Sequence, residues 1–490
     1  MTEKKARPHP YIPNSVPDVK AAMLREIGAA SIDELYAAIP EALRFKGRLD
    51  LPEALPSEQA LRRHVEGLLA KNQNCHDHLS FLGGGCWQHY VPAVCDEVNQ
   101  RSEFLTAYGG EPYEDQGRFQ ALFEYESMMG ELLDFDVVNV PTYDWSQAAA
   151  TALRMAARVT GRDELLVPAT TGPDRLAVIR NYNGWAMRVE TVGWERATGL
   201  LDLEDLRHKL SKRTAAVYLE VPSYLGVVET QTAEVAAMAH AAGALLVAGV
   251  DPISLGVVAP PPQYGADLAC GDIQPLGMHM QFGGGLAGFI ASRDEDRFVA
   301  EFPSRLFGLT ETIVPGERAF GDVHFDRTSF HGREHGKEFV GTAGALWGIT
   351  AGVYLALMGP QGMRELGQGI MQRAQYAAAH LGTVPGVRAP ALDAPFFKEF
   401  VVDFDGTGRT VAEVNQALLA HGIFGGVDLS ARFPELGQSA LFCVTEVHTK
   451  EDLDRLAEAV GEAVAGKKRR ATGSHGVAPR SAKGGKRRGR

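Results

Sequence analysis

The sequence predicts an α/β protein: a mostly parallel sheet covered by helices on both faces, with a smaller α/β domain behind it. Three observations carry this. From about residue 100 to 335, short apolar runs alternate with helical segments, the pattern of strand–helix–strand units. The runs "TAAVYLEVP" and "ALLVAGVD" are apolar on nearly every residue, as strands buried on both faces are. After about residue 335 a long Gly- and Ala-rich helical tract is followed by strand, helix, strand and helix.

Residues 1–95 read as a helical arm. "SIDELYAAIP" and "SEQALRRHVEGLLAKN" both space apolar residues near the 3.6 period, and Ser57 is placed to cap the second. Pro10, Pro13, Pro17 and Pro56 divide this region into short pieces. In the large domain, 96–335, "FQALFEYESMMGELLDF" is a helix, and "QAAATALRMAARVTG" is another that stops at Gly161. "ELLVPA" is a strand, "LDLEDLRHKLS" a helix, and "TAAVYLEVP" a buried strand. "TAEVAAMAHAAG" is a helix closed by Gly243, and "ALLVAGVD" is the next strand. In the small domain, 336–465, the helical tract is interrupted at Gly359–Pro360. "KEFVVDFDG" follows as an alternating strand, then the helix "TVAEVNQALLAHG", the strand "SALFCVTEV" and a closing helix capped by Thr449.

Composition narrows the class. A chain of 490 residues with 45% hydrophobic and 22% charged residues is an ordinary globular protein too long for one core. No run approaches eighteen consecutive apolar residues, and the N-terminus lacks the apolar stretch of a secretory signal. The five cysteines are scattered without a CxxC or Cys/His cluster, which predicts reduced thiols in the cytoplasm and no metal site. The net charge of −12 hides a tail, 466–490, with ten Lys/Arg and no acid. Without it the chain stands near −22, a poor nucleic-acid binder, so contact with nucleic acid is left to the tail alone. The tail has too few apolar residues to order itself and is expected to be disordered.

Asp251 ends the strand "ALLVAGVD", and "ADLACGDIQPLGMHMQFGGGLAGFI" follows it with a second strand and a glycine-rich loop. This arrangement resembles enzymes that hold pyridoxal phosphate, which need a lysine here to form a Schiff base with the cofactor aldehyde. Met278, His279 and Met280 stand about where it belongs, and no lysine occurs between Lys212 and Lys337. Arginine stays protonated and histidine has no primary amine, so neither replaces it. The chain keeps the architecture of a cofactor enzyme without its covalent anchor, which predicts a partner subunit.

Ordered matches from Tyr11 to Glu462 support a more specific resemblance. They include "HPYIPN", "LSFLGGG" with "HYVPAV", "RSEFLTAY", "QALFEYESMM", "VDPISLG", "QPLG", "FGGGLAGF", "VYLALMG", "KEFVV" and "GIFGGVDL" with "ALFCVTEVHTKEDLD". On these the chain resembles subunit 1 of the two-subunit glycine dehydrogenase (decarboxylating), the P-protein of the glycine cleavage system. The resemblance implies a fold-type I pyridoxal phosphate-dependent transferase fold, that of the aspartate aminotransferase superfamily. It implies an α2β2 assembly in which subunit 2 carries the pyridoxal phosphate and its lysine. Glycine is then decarboxylated, and the aminomethyl group passes to the lipoyl arm of the H-protein.

The candidate residues follow. Asp251 is suited to pair with a pyridinium nitrogen, or else is a structural acid bonding nearby backbone. His279 is an acid/base candidate, or else a packed side chain. Both are vestigial candidates for cofactor binding. "FLGGGCWQHY" is able to cradle an anion through successive backbone N–H groups, although no GK[ST] follows it. Cys86 and Cys443 show no activating base. Tyr108 and Gln116 flank "GGEPYED", where the family usually has a different and longer loop near the partner's active site. They are expected to complete that site, or else to pack and to cap the following helix. "YDWSQAAATA" stands where the family usually has Tyr-Asp-Gly-Ala-Thr-Ala, and "GREHGKEFVGTAGAL" also departs from the usual pattern. The departures at 109–115, 145–147 and 332–342 fall on expected site loops while the scaffold motifs are kept. Three readings follow: a glycine dehydrogenase subunit, a divergent paralogue acting on another amino acid with a subunit-2-like partner, or a non-catalytic scaffold or regulatory subunit.

Overall fold

The computed structural model describes residues 11–47, 49–105, 116–303, 305–329, 331–338 and 344–465. They divide into two compact units, one up to Gln73 and one from Asn74. The first holds two helices of more than one turn or so, α1 (Pro17–Glu26) and α2 (Glu58–Leu69). Ser57 caps α2 by accepting a hydrogen bond from the Ala60 amide. "SIDELYAAIP" yields only a four-residue helix, Ile32–Leu35. No described residue before Asn74 is buried.

The second unit is built on a seven-stranded sheet. In chain order the strands are β1 (Val137–Val138), β2 (Glu164–Pro168), β3 (Arg188–Val192), β4 (Thr214–Val221), β5 (Leu245–Val250), β6 (Leu268–Asp272) and β7 (Gly288–Ser292). Across the sheet they run β1-β7-β6-β5-β4-β2-β3. Every pairing is parallel except those of β7, which is antiparallel to both neighbours. All eight residues of β4 and all six of β5 are buried, as their unbroken apolar runs require.

Each strand feeds two cores by its period of two. Leu166, Val217, Leu219, Leu246, Ala248 and Val250 face one core; Leu165, Val167, Ala216, Tyr218, Leu245 and Val247 face the other. The first core is closed by α3 (Gln116–Leu133), through Tyr125 and Met129, and by Tyr354 and Met363 of α6 (Ala345–Leu381). The second is closed by α4 (Trp145–Thr160), whose Ala148, Ala149, Ala152 and Ala156 allow it to lie close against the strands. Helix α4 ends on Gly161 in the left-handed conformation, at φ 65°. Helix α5 (Pro173–Asn183) packs on α4. A hairpin, β8 (Phe307–Glu311) with β9 (Arg318–Asp322), follows the sheet.

Helix α6 is broken at Gly359, with φ 58°, ahead of Pro360, as the sequence predicts. A three-stranded antiparallel sheet follows, formed by β10 (Glu399–Asp403), β11 (Val427–Asp428) and β12 (Ser439–Cys443) in the order β10-β12-β11. Helices α7 (Val411–Leu419) and α8 (Lys450–Val464) cover it. Strand β10 is not the half-exposed alternating strand expected: four of its five residues are buried. One cause is the segment after Asn74. Phe81 enters the same core as Phe400 and Phe442 and stacks on His448 at 4.6 Å, and Leu79–Ser80 pairs in parallel with Ile423–Phe424. Among the described residues no helix is long and apolar enough to cross a membrane.

Candidate functional site

Ligands of open parallel sheets gather at the carboxyl ends of the strands. Here three neighbouring strands, β4, β5 and β6, each deliver an acid to that edge: Glu220, Asp251 and Asp272. All three are at most 3% exposed. A buried carboxylate without a partner costs several kcal/mol, so each must be answered within the chain.

Glu220 is answered by Arg175 from the first turn of α5, in a direct ion pair buried on both sides. The Arg175 guanidinium lies over the Trp145 ring, 3.8 Å from its centre. The indole Nε1 donates to the Tyr218 hydroxyl at 3.0 Å, and that hydroxyl donates to Glu220 at 3.1 Å, which closes the network. Burial alone would lower the Arg175 pKa, but Glu220 outweighs it and the guanidinium is held more firmly charged. Gly249 makes room for this packing. A Cβ there would come within 2.4 Å of the Tyr218 hydroxyl and 3.0 Å of the Trp145 nitrogen.

Asp251 is answered by Lys398, one residue before β10, at 2.7 Å. The other Asp251 oxygen accepts from the Ile253 amide at 3.1 Å. The ammonium lies 3.5 Å from the centre of the Trp87 ring and 3.2 Å from His89 Nε2. His89 Nδ1 is 2.8 Å from Glu446. Burial would raise the Glu446 carboxyl, but His89 and the Tyr90 amide outweigh it and hold the group down to about 2. The next residue, Glu399, turns to the glycine loop and accepts from the Gly84 amide at 2.7 Å. A Cβ at Gly83 would fall 2.1 Å from that carboxylate, so the loop closes on it only because residue 83 is glycine. The anion cradle expected in "FLGGGCWQHY" is thus filled by the chain's own carboxylate.

Asp272 has no cation among the described residues. It accepts from the backbone amides of Trp145, Gln274 and Ala287 at 3.1, 2.9 and 3.2 Å, and burial pushes it up to about 7 despite those donors. Beside it a cleft of about 330 Å³ opens between the glycine loop and the starts of α4 and α5. The space between the two ion pairs is about 20 Å³, room for one water.

Pyridoxal phosphate does not fit between the two ion pairs. The acid that would face a ring nitrogen is taken by Lys398, the loop amide by Glu399, and the void between the pairs is far below the size of a ring. The segment after β6 offers no amine: Ile273, Gln274, Leu276 and Met278 are buried, and Gln274 is spent on the backbone of Trp87 and Met278. Among the described residues no cluster suits a metal ion.

Of the residues singled out from sequence, Asp251 lies at the centre of this edge. His279 does not: its side chain is 58% exposed, bonds Asp96 at 2.9 Å and is not among the residues lining either cavity. Tyr108 and the altered loop 109–115 lie outside the described residues, as do 339–343 and the tail 466–490. Gln116 opens α3, and its side chain also lies outside the description. Burial raises the Cys86 thiol to about 11 and the Cys443 thiol well above its normal range, which suits the inert role expected of both. The residues that fill the edge, Arg175, Glu220, Trp87, His89 and Lys398, were not foreseen. Only Lys398 had a local signal: "FFKEFVV" sets two charges inside an apolar run, where charges persist only when paired. Trp145, by contrast, falls on a segment that departs from the family pattern, and the departure itself helps to fill the edge.

The sequence matches the glycine cleavage system P-protein family over residues 9–460. It is 40% identical over 466 residues to a probable glycine dehydrogenase (decarboxylating) subunit 1 of Staphylothermus marinus, covering 93% of this chain and 98% of that one. A protein of the same description from Aeropyrum pernix is 38% identical, covering 94% of this chain and 100% of its own. Among solved structures, a glycine decarboxylase (P-protein) of the glycine cleavage system in inhibitor-bound form aligns with a TM-score of 0.80 and 36% identity, over 91% of this chain and 98% of that one. A Burkholderia pseudomallei sphingosine-1-phosphate lyase, with a TM-score of 0.61 and 16% identity, shares the fold alone. The fold-type I architecture expected from the sequence is the one found, and the chain belongs to the glycine cleavage system P-protein family.

Proposed function

We propose that this chain is subunit 1 of a two-subunit glycine dehydrogenase (decarboxylating). In this reading subunit 2 carries the pyridoxal phosphate, the two assemble as α2β2 in the cytoplasm, and together they decarboxylate glycine and pass the aminomethyl group to the lipoyl arm of the H-protein. The observation that carries the reading is the closed sheet edge. A chain that covers nearly the whole length of its relatives has spent two of its three strand-end acids on its own cations and the third on backbone amides, which leaves the cofactor's chemistry to another chain. Tyr108 and Gln116 are proposed to complete the partner's site by orienting substrate or the lipoyl arm through hydrogen bonds.

Co-expression with a subunit 2 tests this. The expected result is a stable complex that exchanges glycine carboxyl with CO2 when lipoylated H-protein is present, with borohydride reduction placing the cofactor on the partner's lysine. Reduction onto a lysine of this chain, or a complex inert toward glycine, would overturn it. Trp145 favours one further reading, since an indole stands where the family usually has glycine: a divergent paralogue that acts on another amino acid. That reading expects the same complex to exchange CO2 with a different amino acid and not with glycine.

A further inference from the structure

We propose that Lys398 is a tethered ligand: its ammonium occupies a cation-binding site at the end of β5, and the site, once vacated, takes a small primary alkylammonium ion. The inference is independent of the glycine dehydrogenase reading and concerns this chain alone.

Three groups recognise the ammonium, each in a way suited to an alkylammonium ion. Asp251 offers a carboxylate at 2.7 Å, the Trp87 ring a π-face at 3.5 Å, and His89 a ring nitrogen at 3.2 Å. None of the three belongs to the strand that brings the lysine, and each is held in place by something else. Asp251 is fixed through its second oxygen by the Ile253 amide. The backbone that carries the Trp87 ring is fixed by Gln274, which bonds both its amide and its carbonyl. His89 is fixed by Glu446. Two of the three side chains and the backbone of the third are therefore held by bonds that do not involve Lys398, which fills the site they form. Its side chain is 3% exposed, and the void left beside it holds no more than a water, so no free ion enters while the lysine is in place. Glu399 enters the glycine loop alongside it, so two adjacent residues anchor β10 to the edge of the large sheet by opposite charges.

The test removes the tether and supplies its missing part. Lys398→Ala in the full chain deletes the equivalent of propylammonium. The thermal midpoint is expected to fall by roughly 5 °C or more. n-Propylammonium chloride should then restore at least half of the loss in a saturable way, beyond equal concentrations of sodium or tetramethylammonium chloride. The parent chain and Lys398→Ala/Asp251→Ala should show no such response. Recovery no better than with sodium, or an equal gain in the parent, would overturn the proposal. If Lys398→Ala gives no soluble protein, reductive methylation of the folded parent, mapped by mass spectrometry, decides. Lys398 should be protected relative to the exposed Lys450 and become reactive in Asp251→Asn. Equal reactivity of Lys398 and Lys450 in the parent would overturn the proposal.

Discussion

The carboxyl edge of the sheet and the unit before Asn74 are built on opposite terms. At the edge, three carboxylates are buried and each has a partner from elsewhere in the chain. Before Asn74 no described residue is buried, and Ile27, Leu43, Phe45 and Leu51 are each more than 60% exposed. The edge is finished by the single chain; the first unit gains almost nothing from burial, which is the main source of stability for helices as short as these. The difference teaches where substitutions should be felt. They should tell most where charges have been taken out of water and paired, and least where side chains still face it.

The largest expected effect comes from breaking a pair at the edge. Glu220→Ala strands the Arg175 guanidinium in a buried site and should cost about 3–5 kcal/mol. Replacing both partners, as in Arg175→Met/Glu220→Leu, should recover most of that, because two charges are then no longer held out of water. Urea unfolding of the two variants measures the contrast. If the double variant is no more stable than Glu220→Ala, the edge depends on this pair for more than mutual neutralisation.

A smaller effect depends on pH. Asp272 is pushed up by burial from 3.8 to about 7, so the folded chain prefers its neutral form. Its contribution to stability is complete below pH 3.8 and is lost as pH rises through 7. The advantage of the parent over Asp272→Asn should therefore shrink between pH 4 and pH 8, by roughly 2–4 kcal/mol. Glu446 works in the other direction. Its carboxyl is held near 2, so its contribution is present above its ordinary value of 4.5 and is lost as pH falls toward 2. A stability advantage that stays constant across pH 4–8 would show that the three amides donating to Asp272 cancel its burial.

How far the sequence reveals these features follows from their physics. Strands β4 and β5 are legible because burial on both faces leaves an unbroken apolar run. Strand β3, partly exposed over Arg188–Thr191, carries no such run, and the hairpin β8–β9 is too exposed at its tip to show one. "SIDELYAAIP" has helical spacing but no core to hold it, and only one turn forms. The same holds for the site. Asp251 is visible as an acid ending a buried strand. Its partner Lys398 and the pair Arg175–Glu220 are joined only by the fold, across stretches of chain that no local pattern connects.

The smallest effects come from two helix caps, one in each unit, in which a hydroxyl accepts from the amide three residues on. The Thr449 hydroxyl accepts from the Asp452 amide, and the Asp452 carboxylate accepts from the Thr449 amide, a capping box at the start of α8. Helix α8 buries Leu453, Leu456 and Val460 in the core it shares with α7 and the three-stranded sheet, so its cap is tied to the main unfolding transition. Thr449→Ala should cost about 1 kcal/mol there.

Ser57 caps α2 with the same kind of bond, from the Ala60 amide, yet α2 buries no residue. Losing that bond weakens a helix whose formation stabilises no core, so fraying of α2 is local and separate from global unfolding. Ser57→Ala should leave the urea midpoint unchanged to within a few tenths of a kcal/mol, while amide exchange across α2 speeds up. With a partner subunit added, the same substitution is the sharper probe. If α2 then becomes protected and Ser57→Ala begins to lower the midpoint, the exposed apolar residues of the first unit have found their cover in the assembly. If Ser57→Ala already costs as much as Thr449→Ala in the isolated chain, the contrast between the two units fails, and α2 is coupled to a core after all.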